Sequence, residues 1–230
     1  MMDMGRTDIF SSNELLLYHG SDNQFMKPKF GFGSPVQDYG LGLYTTQDIE
    51  LAKEWAVGYR ECEGWVHSFR IDTTGLSIFN FEDSKVSVFS WLAELTYNRA
   101  AYDSRKYLQN CRRLQARYKL DLADYDIIIG WRADASYFDV AKAFLLGDLD
   151  YHLLERALRA GNLGIQICIK SERAFRRLTR VGDPLSVDKV VYTNAYYERD
   201  SSARQLFDEL LNSPENDNLT YGIDSILAGG

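Results

Sequence analysis

The sequence predicts a mixed α+β fold in one domain, on three observations. Apolar runs of strand length, as at 15–18 and 126–130, alternate with longer stretches of helical period. The 230 residues are 45% hydrophobic and 26% charged, an ordinary globular balance that supports a packed core. No internal repeat, low-complexity tract or convincing linker divides the chain.

Each element follows from period and punctuation. A strand is expected over 15–21, then a loop rich in Gly, Pro and Phe to about Gly40. A helix is expected over 47–59, because Ala52, Trp55 and Ala56 share one face. Thr46 is its expected N-cap, ahead of Asp48 and Glu50 in the first turn. Residues 65–72 alternate as a strand, and a second follows over 76–81 after Thr74-Gly75. The segment 85–120 reads as a helical insertion broken near Tyr102-Asp103-Ser104. Its apolar positions include Phe89, Trp91, Leu92, Leu95, Leu108 and Leu114.

The run 126–130 is continuously apolar after Asp126, the pattern of a buried strand. Helices are expected over 137–146 and 150–159, the second closing at Gly161. A strand over 165–170 and a helix over 172–178 come next. A last strand is expected over 188–193 and a helix over 203–211, with the polar tail 213–230 flexible.

Composition excludes several classes. No stretch approaches the roughly 18–20 apolar residues of a membrane span, so no membrane partner is expected. Residues 1–13 lack an apolar signal-peptide core, which makes a cytoplasmic location the expectation, with delivery to another cell left open. Cys62, Cys111 and Cys168 lie far apart and fit neither a disulfide framework nor zinc spacing. The histidines are only His19, His67 and His152, and no carboxylate cluster stands out, so no metal is expected. A net charge of −7 gives little help to nonspecific phosphate-backbone binding. The runs Arg112, Arg113, Arg117 and Arg173, Arg176, Arg177, Arg180 read as solvated faces.

Two segments carry chemistry. Tyr18-His19-Gly20-Ser21 delivers an imidazole and a bare backbone at the end of a strand. Tyr39-Gly40-Leu41-Gly42-Leu43-Tyr44 delivers a tyrosine from a glycine-hinged loop. A ring nitrogen, an approachable backbone and a flat aromatic face suit a nucleotide-like ligand. The bland alternatives are a hydrogen-bonded structural histidine and glycines that merely serve turns.

These segments resemble the first two motifs of the ADP-ribosyltransferase superfamily, in its diphtheria-toxin and poly(ADP-ribose) polymerase branch. More narrowly, they resemble a bacterial family of unassigned function within it. The second motif continues into a helix of small residues through Ala52 to Trp55-Ala56, and the match covers about 40 residues. A weaker third match lies in Leu163-Gly164-Ile165-Gln166-Ile167-Cys168-Ile169, where Gln166 stands at the position of the superfamily's glutamate. Glutamine is uncharged but still hydrogen-bonds a ribose hydroxyl.

The resemblance implies a split antiparallel β-sheet core with flanking helices, and NAD+ as substrate with no metal. It places His19 on a ribose hydroxyl of the adenosine side and the Gly20 backbone on the nicotinamide carboxamide, with Ser21 and Gly42 as further cofactor contacts. Tyr44 and Trp55 would hold the pyridinium ring, and Gln166 the nicotinamide ribose. Within Gly130-Trp131-Arg132-Ala133-Asp134-Ala135-Ser136, Asp134 is a candidate for the missing carboxylate and Arg132 for a phosphate partner. The alternative is that Asp134 or Ser136 caps the next helix.

The expected activity is mono-ADP-ribosyl transfer to a macromolecule, protein or nucleic acid, by a bacterial or phage-related toxin or effector. An antitoxin or immunity partner fits that expectation. The competing expectations are a nucleotide-binding module without transfer and an interaction protein with a vestigial pocket.

Overall fold

Period-two burial builds the first strand. In β1 (Glu14–Ser21), Leu15 and Leu17 are buried while Glu14 and Leu16 face solvent. The computed structural model describes residues 13–58, 62–99, 103–160, 164–216 and 222–228. After β1 come β2 (Leu43–Thr45), α1 (Ile49–Val57), β3 (Gly64–Asp72), β4 (Ile78–Asn80), α2 (Val88–Asn98) and α3 (Arg105–Tyr118). The second half holds β5 (Ile127–Trp131), α4 (Ala135–Leu146), α5 (Tyr151–Ala160), β6 (Ile165–Ile169), α6 (Glu172–Phe175), β7 (Leu178–Val187), α7 (Lys189–Leu211) and α8 (Ile223–Ala228).

The fold is α+β with two sheets. One is antiparallel in the order β1-β3-β7; the other runs β2-β6-β5-β4. They are tied by one bridge, in which Tyr18 and Thr46 exchange backbone bonds of 2.7 and 2.9 Å. The expected all-antiparallel core is corrected at one place: β4 pairs with β5 in parallel. Parallel neighbours need a long crossover, and the helical insertion α2–α3 supplies it.

Strand β5 is buried on both faces. Ile127 and Ile129 join Leu15, Leu17, Ile71, Ile167 and Ile169 in a cluster shared by the two sheets. Ile128 faces the larger cluster of helices α2–α5, with Trp91, Leu92, Leu95, Leu114 and Phe144. This two-sided burial is what a continuous apolar run signals.

Several boundaries differ from expectation. The N-cap of α1 is Asp48, whose carboxylate accepts from Glu50 N (2.9 Å) and Leu51 N (3.3 Å), and the Thr46 hydroxyl accepts from Asp48 N instead. Helix α6 stops at Phe175 because the chain must re-enter the sheet at Leu178, opposite Ile71. Strand β7 is absent from the expected elements: Gly182 (φ 66°) and Pro184 read as a turn, yet both are tolerated on an edge strand.

The expected strand 188–193 is the first turn of α7. Asp188 caps it by accepting from Val191 N (3.1 Å), and Val190 and Val191 are exposed rather than buried in a sheet. The tail is not featureless either. Helix α8 buries Ile223 and docks on α3 through Arg113–Asp224 (2.9 Å) and Arg117 to the Ile226 carbonyl (3.0 Å). Tyr59, Tyr102 and Gly161, invoked above as boundaries, and residues 1–12 lie outside the described residues. No helix among those described is long and apolar enough to cross a membrane.

Candidate functional site

A cleft of about 650 Å³ collects side chains from distant stretches of sequence. Its wall includes His19, Gly20, Ser21, Gly42, Tyr44, Trp55, Arg132, Asp134 and Gln166, together with Asp38, Arg99 and Tyr196. Strand β1 brings the first three, the loop before β2 brings Asp38 and Gly42, β2 brings Tyr44, and α1 brings Trp55. The C-terminus of α2 brings Arg99, the β5–α4 connection brings Arg132 and Asp134, β6 brings Gln166 and α7 brings Tyr196.

The His19 imidazole is oriented by a 2.7 Å contact between Nδ1 and the Tyr44 carbonyl. A carbonyl only accepts, so Nδ1 carries the proton and Nε2 is left with its lone pair. Burial lowers the His19 pKa, the Tyr44 carbonyl opposes that, and neighbouring His67 adds to it. The residue therefore presents a neutral acceptor near pH 7. His67, its cross-strand partner, is fully buried, with Nε2 3.0 Å from the Asn23 carbonyl and Nδ1 2.7 Å from Arg180.

Two of the cleft glycines, Gly20 and Gly42, owe their identity to packing. A Cβ on Gly20 would lie 2.2 Å from the Ala52 carbonyl oxygen and 2.5 Å from Ala56 N, so β1 approaches α1 only without one. A Cβ on Gly42 would meet Cys168 Sγ at 2.4 Å. Tyr44 is similarly engaged: its hydroxyl donates to the Gly40 carbonyl (2.6 Å) and accepts from Tyr39 N (2.9 Å), and its ring stacks on Tyr39. Burial pushes its pKa far above the ordinary tyrosine value, so it stays a neutral phenol. Trp55 carries the Arg132 guanidinium on one face, 5.1 Å from the ring centroid. Each aromatic ring thus has one face occupied by the protein itself.

Gln166 is 4% exposed, and its orientation is set by two acceptors. Its Nε2 donates to Asp38 Oδ2 (2.6 Å) and to the Trp131 carbonyl (3.1 Å). With both N–H groups committed, Oε1 is the atom left to accept from a ligand. Asp38 also accepts from Ala133 N (2.8 Å) and pairs with Arg99 (3.0 Å).

Asp134 occupies the N-cap position of α4 but makes no capping bond. Its carboxylate is spent on charge: Oδ1 pairs with Arg132 Nε at 2.8 Å and Oδ2 with Arg199, which also holds Glu54 at 2.7 Å. Desolvation lowers the Arg132 pKa against the pull of Asp134.

The expected residues are thus gathered in one place, and sequence reasoning missed five that join them: Asp38, Arg99 and Tyr196 in the wall, with Glu54 and Arg199 behind it. Asp38 stood directly before Tyr39-Gly40, where an acid adjoining a motif is a legible signal. Arg99, Glu54 and Arg199 carried none, since their roles arise only from contacts across the fold.

Fold and cleft define an α+β protein with a half-buried pocket of mixed polar and apolar lining, walled by both sheets and by α1, in which the carboxylates of Asp38 and Asp134 are both engaged in ion pairs. The chain belongs to a family of proteins of unknown function, DUF3990, which matches residues 15–179. That span holds every cleft residue named above except Tyr196 and the adjoining Arg199. No curated protein and no solved structure matches the chain.

Proposed function

We propose that the chain is an NAD+-dependent mono-ADP-ribosyltransferase that modifies a macromolecule. One observation carries this reading: residues chosen as dinucleotide contacts from four separate stretches line a single cleft. In the reaction the bond between C1′ of the nicotinamide ribose and the ring nitrogen breaks. Nicotinamide leaves with the electron pair, the acceptor's nucleophile bonds to C1′, and its proton goes to solvent. The Gln166 Oε1 acceptor would take a hydroxyl of the nicotinamide ribose, fixing that sugar as charge develops on it, and His19 Nε2 would take a hydroxyl of the adenosine ribose, orienting the dinucleotide. Tyr44 would pack against the pyridinium ring. The acceptor is a protein or nucleic acid, and the biological setting a toxin or effector restrained by an antitoxin or immunity partner.

A second reading, a nucleotide-binding module without transfer, draws support from the ion pairs that occupy both Asp38 and Asp134. Labelled NAD+ incubated with the protein and a cell lysate separates the two. Label on a macromolecule, lost in His19→Ala and Gln166→Ala, supports transfer. Saturable binding without label supports the module, and absence of binding sinks both. Tyr44→Phe is the milder third variant, because removing the whole ring would strip support from Tyr39 and Gly40.

A further inference from the structure

We infer that Arg132 and Trp55 form a phosphate-binding subsite in the cleft wall, serving the diphosphate of the dinucleotide. Arg132 Nη1 and Trp55 Nε1 are both buried donors with no acceptor among the described residues. They belong to side chains in contact, the Arg132 guanidinium lying over the face of the Trp55 ring with Cζ 5.1 Å from its centroid, and both residues line the cleft. Buried donors are nearly always satisfied in native proteins, so two orphans on contacting side chains of one pocket point to an acceptor supplied from outside.

The surroundings hold the pair in place without satisfying it. Asp134 takes Arg132 Nε at 2.8 Å and sends its other oxygen to Arg199, which in turn is held by Glu54. The nearby carboxylates are therefore spent on other nitrogens. Burial disfavours the Arg132 charge even with Asp134 beside it, so an incoming anion would relieve a real cost.

Ligand chemistry follows from the donors. A guanidinium N–H and an indole N–H accept nothing, which rules out an NH₂ donor or a metal ion at this point and calls for an acceptor oxygen, and the desolvated guanidinium charge favours an oxyanion over a neutral one. Trp55 then acts through its N–H as well as its ring. The inference relies on the proposed dinucleotide reading only for the source of the phosphate; the acceptor macromolecule is the other source.

Calorimetric titration of the full chain tests it with three probes: inorganic pyrophosphate, ADP-ribose and adenosine. Arg132→Gln removes the charge, and Trp55→Phe removes the N–H while keeping an aromatic ring. The wild type is expected to bind pyrophosphate, with a loss of about tenfold in Arg132→Gln and about threefold in Trp55→Phe. It is also expected to prefer ADP-ribose to adenosine, an advantage both variants lose while adenosine affinity stays constant.

Pyrophosphate binding that depends on both residues, without any preference for ADP-ribose, would keep the subsite and move its phosphate to the acceptor, overturning the dinucleotide assignment. Failure of the wild type to bind either phosphate probe overturns the subsite, as does indifference of both probes to the substitutions. Should Arg132→Gln not fold, Trp55→Phe decides alone. Adenosine binding that survives while the phosphate arms fail would leave the nucleotide reading standing without this subsite.

Discussion

Replacing Gln166 by glutamate is the sharpest test of how this cleft is wired, because the change swaps one nitrogen for one oxygen. In the native cleft Nε2 donates to Asp38 Oδ2 at 2.6 Å and to the Trp131 carbonyl at 3.1 Å. A glutamate carboxylate would set two negative oxygens at that first distance. At ~3 Å and an effective dielectric of ~20, their repulsion is about 5 kcal/mol, less whatever Arg99 offsets.

Taking up a proton is cheaper. Holding a carboxyl of ordinary pKa ~4.3 protonated at pH 7 costs about 3–4 kcal/mol, and its O–H then replaces the lost donor to Asp38. The expected destabilisation is therefore about 3–4 kcal/mol at pH 7, equal to a fall of roughly 6–16 °C in midpoint. It should shrink by about 1.4 kcal/mol for each pH unit of acidification toward 5. Urea unfolding of wild type and Gln166→Glu between pH 5 and 7.5 measures this directly. Asp38→Asn/Gln166→Glu exchanges acid and amide and should recover much of the loss. A deficit under ~1 kcal/mol that ignores pH would refute the assigned amide orientation, since only an Asp38-facing donor makes the substitution costly.

Gly20→Ala should cost about 1–3 kcal/mol or more in unfolding free energy, because its Cβ would strike the backbone of α1 at 2.2–2.5 Å; a thermal midpoint matching wild type would show that β1 and α1 are not so closely packed. Tyr39→Phe strips the hydroxyl that donates to the Trp131 carbonyl (2.7 Å) and accepts from Trp91 Nε1 (3.0 Å). With about 1–3 kcal/mol at stake for each buried group left unpaired, denaturant titration should find it clearly destabilised. His19 and His67 both have pKa values lowered by burial, so the unfolded chain binds protons first on acidification. Their contribution is complete above the unfolded value near 6.5 and drains away as pH falls through the lower folded values, at up to about 1.4 kcal/mol per pH unit each. Equilibrium unfolding from pH 7.5 to 5 should show that slope, and His67→Gln should lessen it. Under the proposed function, nucleotide affinity should fall once the pH drops below the lowered His19 value and Nε2 gains its proton.

Local pattern determined a good part of this protein. Alternation set β1 and β3, the continuous apolar run set β5, and two spaced motifs set which residues to look for, because each depends on neighbours within a few positions. Where tertiary contact outweighed local preference, the sequence alone misled. Gly182 and Pro184 mark a turn in any short window, and only pairing with β3 makes 178–187 a strand. Val190 and Val191 favour a strand until Asp188 caps a long helix.

The cleft divides in the same way. His19 and Tyr44 were nameable from their motifs and Gln166 from the resemblance, but what each offers a ligand was not. Gln166 presents its oxygen because Asp38, 128 residues earlier, claims its nitrogen. Asp134 is withdrawn from service because Arg199, 65 residues later, claims its charge. Hydrogen-bond and ion-pair partners over such separations are chosen by the packing of whole elements, which is the one thing a linear pattern does not encode.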